Sequence, residues 1–307
     1  MTMKALSVHL TDICNSKCSF CIVDSPFVKD DSISRKRVSR FLRDNAGKDY
    51  QAVNIHGGEA TIRRDLLDIL DEIRELGYPT VFLQTNGRKM ARRPYAQELV
   101  DRGVSLFIVS MHGATALTQD RISKSLGSFE QAVQGIRNAK ELGAKIRTNS
   151  VVCRDNFTEI PEIVDLCLDL GVDHVNVSAL HTAGTALRNF AEVTPRYDEI
   201  QPYVFEAVDR AVRRERVVTL EGFPHCAIPG YEKYMINWTE NQFKMLYRTF
   251  VFDDYERMMD ASARVKDERC GGCAHDASCG GVYKEYAEFI GWDEFQPVTP
   301  ATPAVTA

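Results

Sequence analysis

The sequence lacks several features that would place it at once in a large class of proteins. Acidic residues outnumber basic ones by 43 to 38, so the formal net charge is −5 and the basic excess of nucleic-acid-binding domains is missing. No apolar run reaches the ~18 residues that a membrane-spanning helix needs. A signal peptide is not indicated, because Asp12 interrupts the apolar start of the chain. We therefore expect a cytoplasmic protein that binds neither nucleic acid nor a membrane.

Cysteine is absent between Cys21 and Cys153, and the nine cysteines are unevenly distributed. Three lie close together near the amino terminus, four lie in the carboxyl-terminal third, and Cys153 and Cys167 stand alone. Structural disulfides are rare in a reducing cytoplasm. Two groups of thiols in such a compartment indicate metal binding.

Between residues 4 and 185, short apolar strands alternate with amphipathic helices, most of which are followed by glycine. Strand–helix repeats predict a parallel sheet with right-handed crossovers. Six repeats are fewer than the eight of a closed barrel. We therefore predict an α/β fold with a partial (β/α)6 barrel, whose site lies at the carboxyl ends of the strands.

Composition divides the chain into four predicted parts. Residues 1–185 form the partial barrel, and residues 186–220 form a connecting helix. Residues 221–292 are irregular, cysteine-bearing and rich in aromatics, which is typical of a small domain held together by metal. The Pro/Thr/Ala-rich tail, residues 293–307, is predicted to be disordered.

The amino-terminal cysteines, Cys14, Cys18 and Cys21, form a C-x3-C-x2-C pattern directly after the first predicted strand. Three thiolates at this spacing can hold three corners of a 4Fe–4S cluster and leave the fourth iron open. The alternative is a zinc knuckle without its fourth ligand. Including Phe20 before the last cysteine, the segment resembles the signature of the radical S-adenosylmethionine (radical SAM) superfamily.

That resemblance implies an activity. In this family the open iron binds S-adenosylmethionine, and a flavodoxin or ferredoxin-type donor supplies an electron. Cleavage of S-adenosylmethionine then gives a 5′-deoxyadenosyl radical, which abstracts hydrogen from the substrate. The protein positions and shields these groups, while the cofactors supply the chemistry.

Gly57, Gly58 and Glu59 follow the second predicted strand and match the family's GGE motif. Paired glycines allow a tight turn and close approach to a ligand, and a carboxylate suits an ammonium group. The resemblance implies that Glu59 binds the amino group of S-adenosylmethionine. At other strand ends, polar residues are expected to contact the rest of the cofactor or, alternatively, only to cap turns: Thr85, Asn86, Ser110, Asn149, Arg154 (to the carboxylate) and Ser178 (towards adenine).

Three further residues fall at predicted strand ends and are candidate catalytic groups. His112 and His181 could act as general acid or base, or could only cap turns. Cys153 could donate a hydrogen atom to a substrate radical. Cys167 instead falls on the apolar face of a helix and is predicted to pack.

The carboxyl-terminal cysteines form a second metal-binding pattern. Cys270-x2-Cys273-x5-Cys279 resembles the start of the SPASM/twitch motif, although Tyr283 stands where that motif ends in cysteine. Together with Cys226, four thiols could hold one auxiliary 4Fe–4S cluster in a twitch-like domain. A structural zinc ion would use the same four ligands, and a three-cysteine cluster would leave Cys226 free.

Two kinds of substrate are considered. We favour a small polar metabolite of natural-product (antibiotic) biosynthesis, such as a sugar, aminocyclitol or nucleoside intermediate, with oxidation, epimerisation or decarboxylation as the outcome. The alternative is a peptide maturase assisted by a separate recognition protein, because a first ligand at Cys14 leaves no space for a preceding recognition domain. A non-catalytic zinc-binding protein would require the first cysteine group to be accidental.

Overall fold

The computed structural model describes residues 3–29, 32–236 and 241–299. Its main element is a nine-stranded sheet in the order β7-β6-β5-β4-β3-β2-β1-β8-β9. All neighbouring pairs are parallel except β8 and β9. The strands are β1 (Lys4–His9), β2 (Ala52–His56), β3 (Val81–Thr85), β4 (Val104–Ser110), β5 (Lys145–Val151), β6 (His174–Ser178), β7 (Val217–Glu221), β8 (Gln242–Tyr247) and β9 (Phe250–Phe252).

Helices cover one face of this sheet. The helices are α1 (Arg35–Asn45), α2 (Leu66–Glu75), α3 (Arg93–Asp101), α4 (Ala116–Ser123), α5 (Ser128–Glu141), α6 (Ile160–Asp169), α7 (Thr185–Arg188), α8 (Phe190–Val193), α9 (Tyr197–Arg213), α10 (Tyr255–Ala263) and α11 (Lys284–Phe289). In α2 the buried residues Leu66, Ile69, Leu70 and Ile73 recur at helical spacing, which gives the helix one apolar face. No helix in the described ranges has the length and apolarity needed to cross a membrane.

Strand residues alternate between two different environments. Val53 and Ile55 of β2 are fully buried in the main core beneath the helices, together with Val175 and Val177 of β6. The intervening residues point to the other face of the sheet, as the period of two requires. That inner face is rich in polar side chains, and Gln84 of β3 is exposed there. The sheet therefore packs on one side and opens a polar surface on the other.

The predicted α/β fold with a mostly parallel sheet is confirmed, and the sheet extends beyond the six predicted strands. β7 lies where a connecting helix is predicted, and it pairs in parallel with β6. β8 comes from the region predicted to be irregular and pairs in parallel with β1. In the described part of the chain, β7 and β9 are the two edges of the sheet, so the barrel stays open.

The carboxyl-terminal region forms a small unit built around the hairpin of β10 (Arg264–Val265) and β11 (Val282–Tyr283). The first part of the predicted disordered tail is ordered and packs against this unit. Phe295 is 3% exposed and contacts the rings of Tyr197 and Tyr286. The disorder predicted for residues 293–299 is therefore wrong, because a buried aromatic ring anchors them. Residues 300–307 lie outside the described ranges.

Candidate active site

The loop after β1 carries Cys14, Cys18 and Cys21, all three partly exposed. It lies against the end of α4, where the backbone N–H groups of Lys17 and Ser19 donate to the carbonyls of Ser123 and Ile122 over 2.8 and 3.0 Å. Asn189, which follows α7, donates to the Ser19 carbonyl over 2.8 Å. The loop is thus fixed on both sides, and we refer to residues 14–21 as the cysteine loop.

The three thiols of the cysteine loop influence one another. Burial, and then the charges of Cys14 and Cys21, raise the pKa of Cys18 above its usual value. Burial and the nearby Glu59 carboxylate raise the pKa of Cys14 to about 12, although the Ser16 N–H donates to its sulfur over 3.3 Å. Three neighbouring thiols, two of which are costly to ionise without a cation, form a donor set that fits a bound iron–sulfur cluster.

Gly57 and Gly58 allow β2 to end against the cysteine loop. A Cβ atom at Gly58 would lie 2.5 Å from the carbonyl oxygens of both Asp12 and Ile13. Gly57 adopts φ +155° and leaves no room for a side chain beside Thr11. The N–H of Gly58 donates to Thr11, and that of Glu59 donates to Ile13 over 2.9 Å. The two glycines therefore set the position of the loop relative to the sheet.

The Glu59 carboxylate is 1% exposed and accepts hydrogen bonds from three residues. One oxygen accepts from the Thr61 N–H and hydroxyl, over 3.1 and 2.5 Å, and from the Thr85 hydroxyl over 2.7 Å. The other accepts from the Asn86 N–H over 2.7 Å. Four donors around a buried carboxylate hold it in one orientation beside Cys14.

Asn86 and Arg88, which follow β3, hold the cysteine loop from the side. The Asn86 amide donates to the Asn15 side chain over 2.7 Å and to the Cys14 sulfur over 3.8 Å. The Arg88 guanidinium donates to the Asn15 carbonyl and, over 3.2 Å, to the Ser16 hydroxyl. Sequence analysis identified Asn86 but not Arg88, whose role depends on a contact distant in sequence.

Phe20, within the cysteine loop, packs against His112 and shares an apolar cluster with Cys153. The Phe20 ring contacts His112 edge-on with centroids 5.0 Å apart, and it shares a small apolar cluster with Cys153, which is 1% exposed. Burial lowers the pKa of His112 to about 4 and raises that of Cys153 to about 12. His112 accepts a hydrogen bond from the Val151 N–H over 3.3 Å. In this structure all three side chains support the loop.

His181 lies where the barrel meets the carboxyl-terminal unit. Its ring stacks on Tyr283 at a centroid distance of 4.5 Å, and the Arg264 guanidinium lies 4.9 Å from the centroid of the same tyrosine ring. Burial lowers the pKa of His181 to about 4. Tyr283 therefore joins the carboxyl-terminal unit to the segment that follows β6.

A polar network covers the inner face of β5, β6 and β7. The Asn149 side-chain oxygen accepts from the Asn176 amide over 2.7 Å and from the Ser178 hydroxyl over 2.6 Å. The Asn176 amide also donates to Glu221 over 2.8 Å, and Arg147 forms an ion pair with Glu221 at 3.4 Å. Ser110 ends β4 directly opposite Asn149. Three predicted contact residues, Ser110, Asn149 and Ser178, thus share one surface.

A second polar group on the inner face was not predicted. His9 and His56 are register partners in β1 and β2, with ring centroids 5.2 Å apart, and Ser7 hydrogen-bonds His56 over 2.8 Å. Asp12 binds His9 and also accepts from the Arg248 Nε over 3.0 Å. The signal was present in the sequence, since Ser7 and His9, like Asn54 and His56, alternate with apolar residues.

Arg154 does not join this surface. Its guanidinium donates to the Thr194 carbonyl over 2.7 Å and lies 3.8 Å from Glu199, and the side chain is 44% exposed. Arg154 lies in a turn after β5, in which the Asn156 side chain accepts from the Cys153 N–H over 2.8 Å. The structure therefore separates Arg154 from the other predicted S-adenosylmethionine contacts.

The four carboxyl-terminal cysteines Cys226, Cys270, Cys273 and Cys279 line one pocket. Burial and the charges of the other three thiols raise the pKa of Cys226 to about 11. Backbone N–H groups point at the sulfurs: Val298 donates to Cys273 over 3.3 Å, and Gly281 donates to Cys279 over 3.4 Å. Such N–H donors are typical of cluster-ligating thiolates, whose potential they tune.

In the described ranges, the cysteine groups do not have the geometry of a single-ion site. Within the described residues, no three His, Cys, Asp or Glu side chains converge as ligands of one metal ion. A four-iron cluster requires a wider spacing of its ligands, because each thiolate binds a different iron. The cysteine sulfurs of both groups are partly buried, and backbone N–H groups donate hydrogen bonds to them. This donor chemistry fits iron–sulfur clusters.

Comparisons with known proteins agree with this arrangement. The family model described as Radical SAM superfamily matches residues 8–167, about half of the chain. A probable GTP 3′,8-cyclase from Saccharolobus islandicus is 27% identical over 215 residues, covering 69% of this chain and 68% of that protein. A probable GTP 3′,8-cyclase from Metallosphaera sedula is 30% identical over 193 residues, covering 62% of this chain and 59% of that protein.

Solved structures share the fold at low sequence identity. Streptococcus suis SuiB bound to S-adenosylmethionine aligns with a TM-score of 0.67 and 16% identity, covering 98% of this chain and 77% of SuiB. The enzyme anSMEcpe with bound AdoMet and a peptide aligns with a TM-score of 0.64 and 13% identity, covering 92% of this chain and 89% of that one.

Proposed function

The chain belongs to the radical SAM superfamily, and from this premise we propose that it acts on a small polar metabolite bound at the inner face of the sheet. The superfamily implies an enzyme with a 4Fe–4S cluster and S-adenosylmethionine. The observation that carries the proposal is the position of the cysteine loop at the carboxyl end of β1, next to the polar inner face.

Cys14, Cys18 and Cys21 would hold the cluster, which when bound supplies the electron that cleaves S-adenosylmethionine to the hydrogen-abstracting radical. Gly57 and Gly58 keep the loop against β2. Glu59 presents a fixed carboxylate beside Cys14, and this supports its proposed role towards an ammonium group. These residues would bind and orient the cluster and S-adenosylmethionine. The apolar cluster around Phe20 excludes water on the buried side of the loop.

The proposed substrate class follows from the chemistry of the inner face. Asn149, Asn176, Ser178 and Glu221 offer amide, hydroxyl and carboxylate groups on adjacent strands. Closely spaced polar donors and acceptors suit hydroxyl and amino groups of a sugar, aminocyclitol or nucleoside. The relatives described as probable GTP 3′,8-cyclases support the nucleoside member of this class.

A peptide substrate is the second candidate. SuiB has also been solved with its precursor peptide SuiA, and that structure aligns with a TM-score of 0.64 over 91% of this chain. The observation that favours this candidate is the open inner face, where Gln84 is exposed in the middle of the sheet. An open face leaves space for an extended chain.

The carboxyl-terminal unit is proposed to carry an auxiliary 4Fe–4S cluster on Cys226, Cys270, Cys273 and Cys279. Support comes from their shared pocket and from the backbone N–H groups that point at the sulfurs. A structural zinc ion remains the alternative, and metal analysis of a variant without the first three cysteines distinguishes the two.

Cleavage of S-adenosylmethionine by the reconstituted protein tests the proposed function. Anaerobic protein with dithionite should form 5′-deoxyadenosine, and a Glu59→Gln variant should need far more S-adenosylmethionine to do so. Adding GTP, aminocyclitols or a peptide library should then accelerate cleavage for the true substrate class. Absence of 5′-deoxyadenosine from iron-loaded protein would refute the proposal.

A further inference from the structure

Two levels of polar side chains lie on the inner face of β1, β2 and β3. Ser7 and Asn54 are register partners in β1 and β2, and both are buried, at 6% and 8% exposed. One inward-facing position further along, His56 ends β2 beside Gln84 of β3, because the register of these strands continues from the preceding residues. We refer to His56 and Gln84 as the inner-face pair.

Each member of the inner-face pair is held by one of the two buried residues. The Ser7 hydroxyl hydrogen-bonds the His56 Nε2 over 2.8 Å, and the Gln84 Nε2 donates to the Asn54 Oδ1 over 3.4 Å. His56 is partly exposed and Gln84 is exposed, so both side chains reach the open surface. Polar side chains that buried partners orient are pre-organised for a ligand, because binding costs them little further rotamer freedom.

Each side chain of the inner-face pair keeps one polar atom for a ligand. Within residues 3–29, 32–236 and 241–299, no group hydrogen-bonds the His56 Nδ1 or the Gln84 Oε1. Adjacent strands lie about 4.8 Å apart, and hydrogen bonds from two such strands can reach hydroxyl groups on neighbouring carbon atoms. The inner-face pair therefore offers two hydrogen-bonding groups at one level of the sheet.

The inner-face pair is uncharged. Burial, and then the adjacent His9, lower the pKa of His56 to about 3, so its imidazole is neutral at physiological pH. His9 itself binds the Asp12 carboxylate, whose charge is balanced by the Arg248 guanidinium over 3.0 Å. A hydroxyl group matches a neutral imidazole in either tautomer and an amide oxygen, because a hydroxyl both donates and accepts. An ammonium or carboxylate group would lack an opposite charge at this position.

We propose that the inner-face pair binds two neighbouring hydroxyl groups of the substrate and determines specificity for the vicinal diol of a sugar, cyclitol or ribose. This inference rests on the proposed function and adds contacts on β2 and β3 to the polar network of β5, β6 and β7. Glu59 follows His56 by three residues. The diol would therefore lie next to the proposed binding site of S-adenosylmethionine.

Ligands that differ by one hydroxyl group test the inner-face pair. Equilibrium dialysis of the iron-loaded enzyme with S-adenosylmethionine measures the dissociation constants of two couples, guanosine with 2′-deoxyguanosine and methyl glucoside with its 2-deoxy analogue. The wild type should bind the diol of at least one couple about tenfold more tightly than the deoxy analogue, as expected for one hydrogen bond. His56→Phe/Gln84→Met removes both polar atoms at similar side-chain size and should bind the two members of that couple equally.

Two single variants complete the test. Gln84→Met changes an exposed side chain and should fold even if the double variant does not, and it should weaken binding of the preferred diol by about fivefold. Gln97→Met makes the same change at an exposed position of α3 and should bind all four ligands like the wild type. The inference is overturned if the wild type shows no preference for a diol, if the preference survives in the double variant, or if Gln84→Met and Gln97→Met behave alike.

A second readout separates this inference from the proposed function. Formation of 5′-deoxyadenosine by the dithionite-reduced wild type is measured without any diol. If the wild type forms 5′-deoxyadenosine but shows no preference for a diol, the inner-face pair alone is wrong. If it forms none, the proposed function itself fails, whatever the dialysis shows.

Discussion

The Thr85 hydroxyl donates a hydrogen bond to the Glu59 carboxylate over 2.7 Å, and this contact joins the end of β3 to the end of β2. The same carboxylate raises the pKa of Cys14. One buried acidic group therefore connects two strand ends to the cysteine loop. Changes at Glu59 should affect both the stability of the site and the binding of S-adenosylmethionine.

Glu59→Gln should be destabilising as well as inactivating. The carboxylate accepts four hydrogen bonds, and an amide NH2 would face donors such as the Asn86 N–H. Leaving buried donors unsatisfied costs about 1–3 kcal/mol of unfolding free energy. Urea denaturation of the metal-free protein measures this cost. Glu75→Gln, at an exposed position of α2, should have no effect, and equal stability of both variants would contradict the inferred network.

Gly58→Ala should displace the cysteine loop. The added Cβ would overlap the carbonyl oxygens of Asp12 and Ile13 at 2.5 Å, and such overpacking costs about 1–3 kcal/mol. Iron analysis after reconstitution should show less iron bound by the variant. Gly77→Ala is the control, because its positive φ imposes strain with no atom within 4 Å of the Cβ position. If both variants lost iron to the same extent, the cause would be general destabilisation, and the predicted displacement of the loop would be contradicted.

The destabilisation caused by Asn176→Asp should depend strongly on pH. The side-chain nitrogen of this buried residue lies 2.8 Å from the Glu221 carboxylate, so an aspartate would place two acidic groups in contact. We expect the unfolding free energy to fall by about 2 kcal/mol or more at pH 8. The decrease should be smaller at pH 5, where one carboxyl group is protonated. Gln97→Glu makes the same change next to Asp101 on the exposed face of α3 and should cost little. Equal losses for both variants would contradict the burial of the network.

His112 should make the stability of the metal-free protein fall in acid. Burial lowers its pKa from 6.5 to about 4, so between these values the unfolded chain binds a proton that the folded chain does not. Stability from this residue is complete above pH 6.5 and decreases towards pH 4, by up to about 1.4 kcal/mol per pH unit. His112→Gln should give a shallower decrease of the unfolding free energy in urea denaturation between pH 7 and 5, and an unchanged slope would contradict the burial of this ring.

Local patterns were sufficient to predict the parallel sheet and the position of the cysteine loop. C-x3-C-x2-C and Gly57-Gly58-Glu59 directly follow predicted strands, and in a parallel sheet all such ends meet at one edge. β8 was missed because its partner β1 lies more than 230 residues away, a pairing that no short window reveals. The contact of Arg154 with the Thr194 carbonyl, 40 residues further along the chain, was likewise not visible in the sequence.

The polar network on the inner face could not be predicted from the sequence for a different reason. Its polar residues lie in several separate strands, for example Arg147 and Asn149 in β5, and one strand alone does not show which residues they meet. Their meaning depends on register, which places Asn149 beside Asn176 and Ser178 beside Glu221. Register joins residues that are 27 and 43 positions apart here, Asn149 with Asn176 and Ser178 with Glu221, so no single strand reveals it.

Iron content before and after removal of the first cysteine group is the most direct test of the central claim. Wild-type protein and a Cys14→Ala/Cys18→Ala/Cys21→Ala variant are reconstituted anaerobically, and iron, sulfide and zinc are counted. Two clusters correspond to about eight irons in the wild type and about four in the variant. The account predicts this decrease together with complete loss of 5′-deoxyadenosine formation. Unchanged iron content, or cleavage of S-adenosylmethionine by the variant, would contradict it.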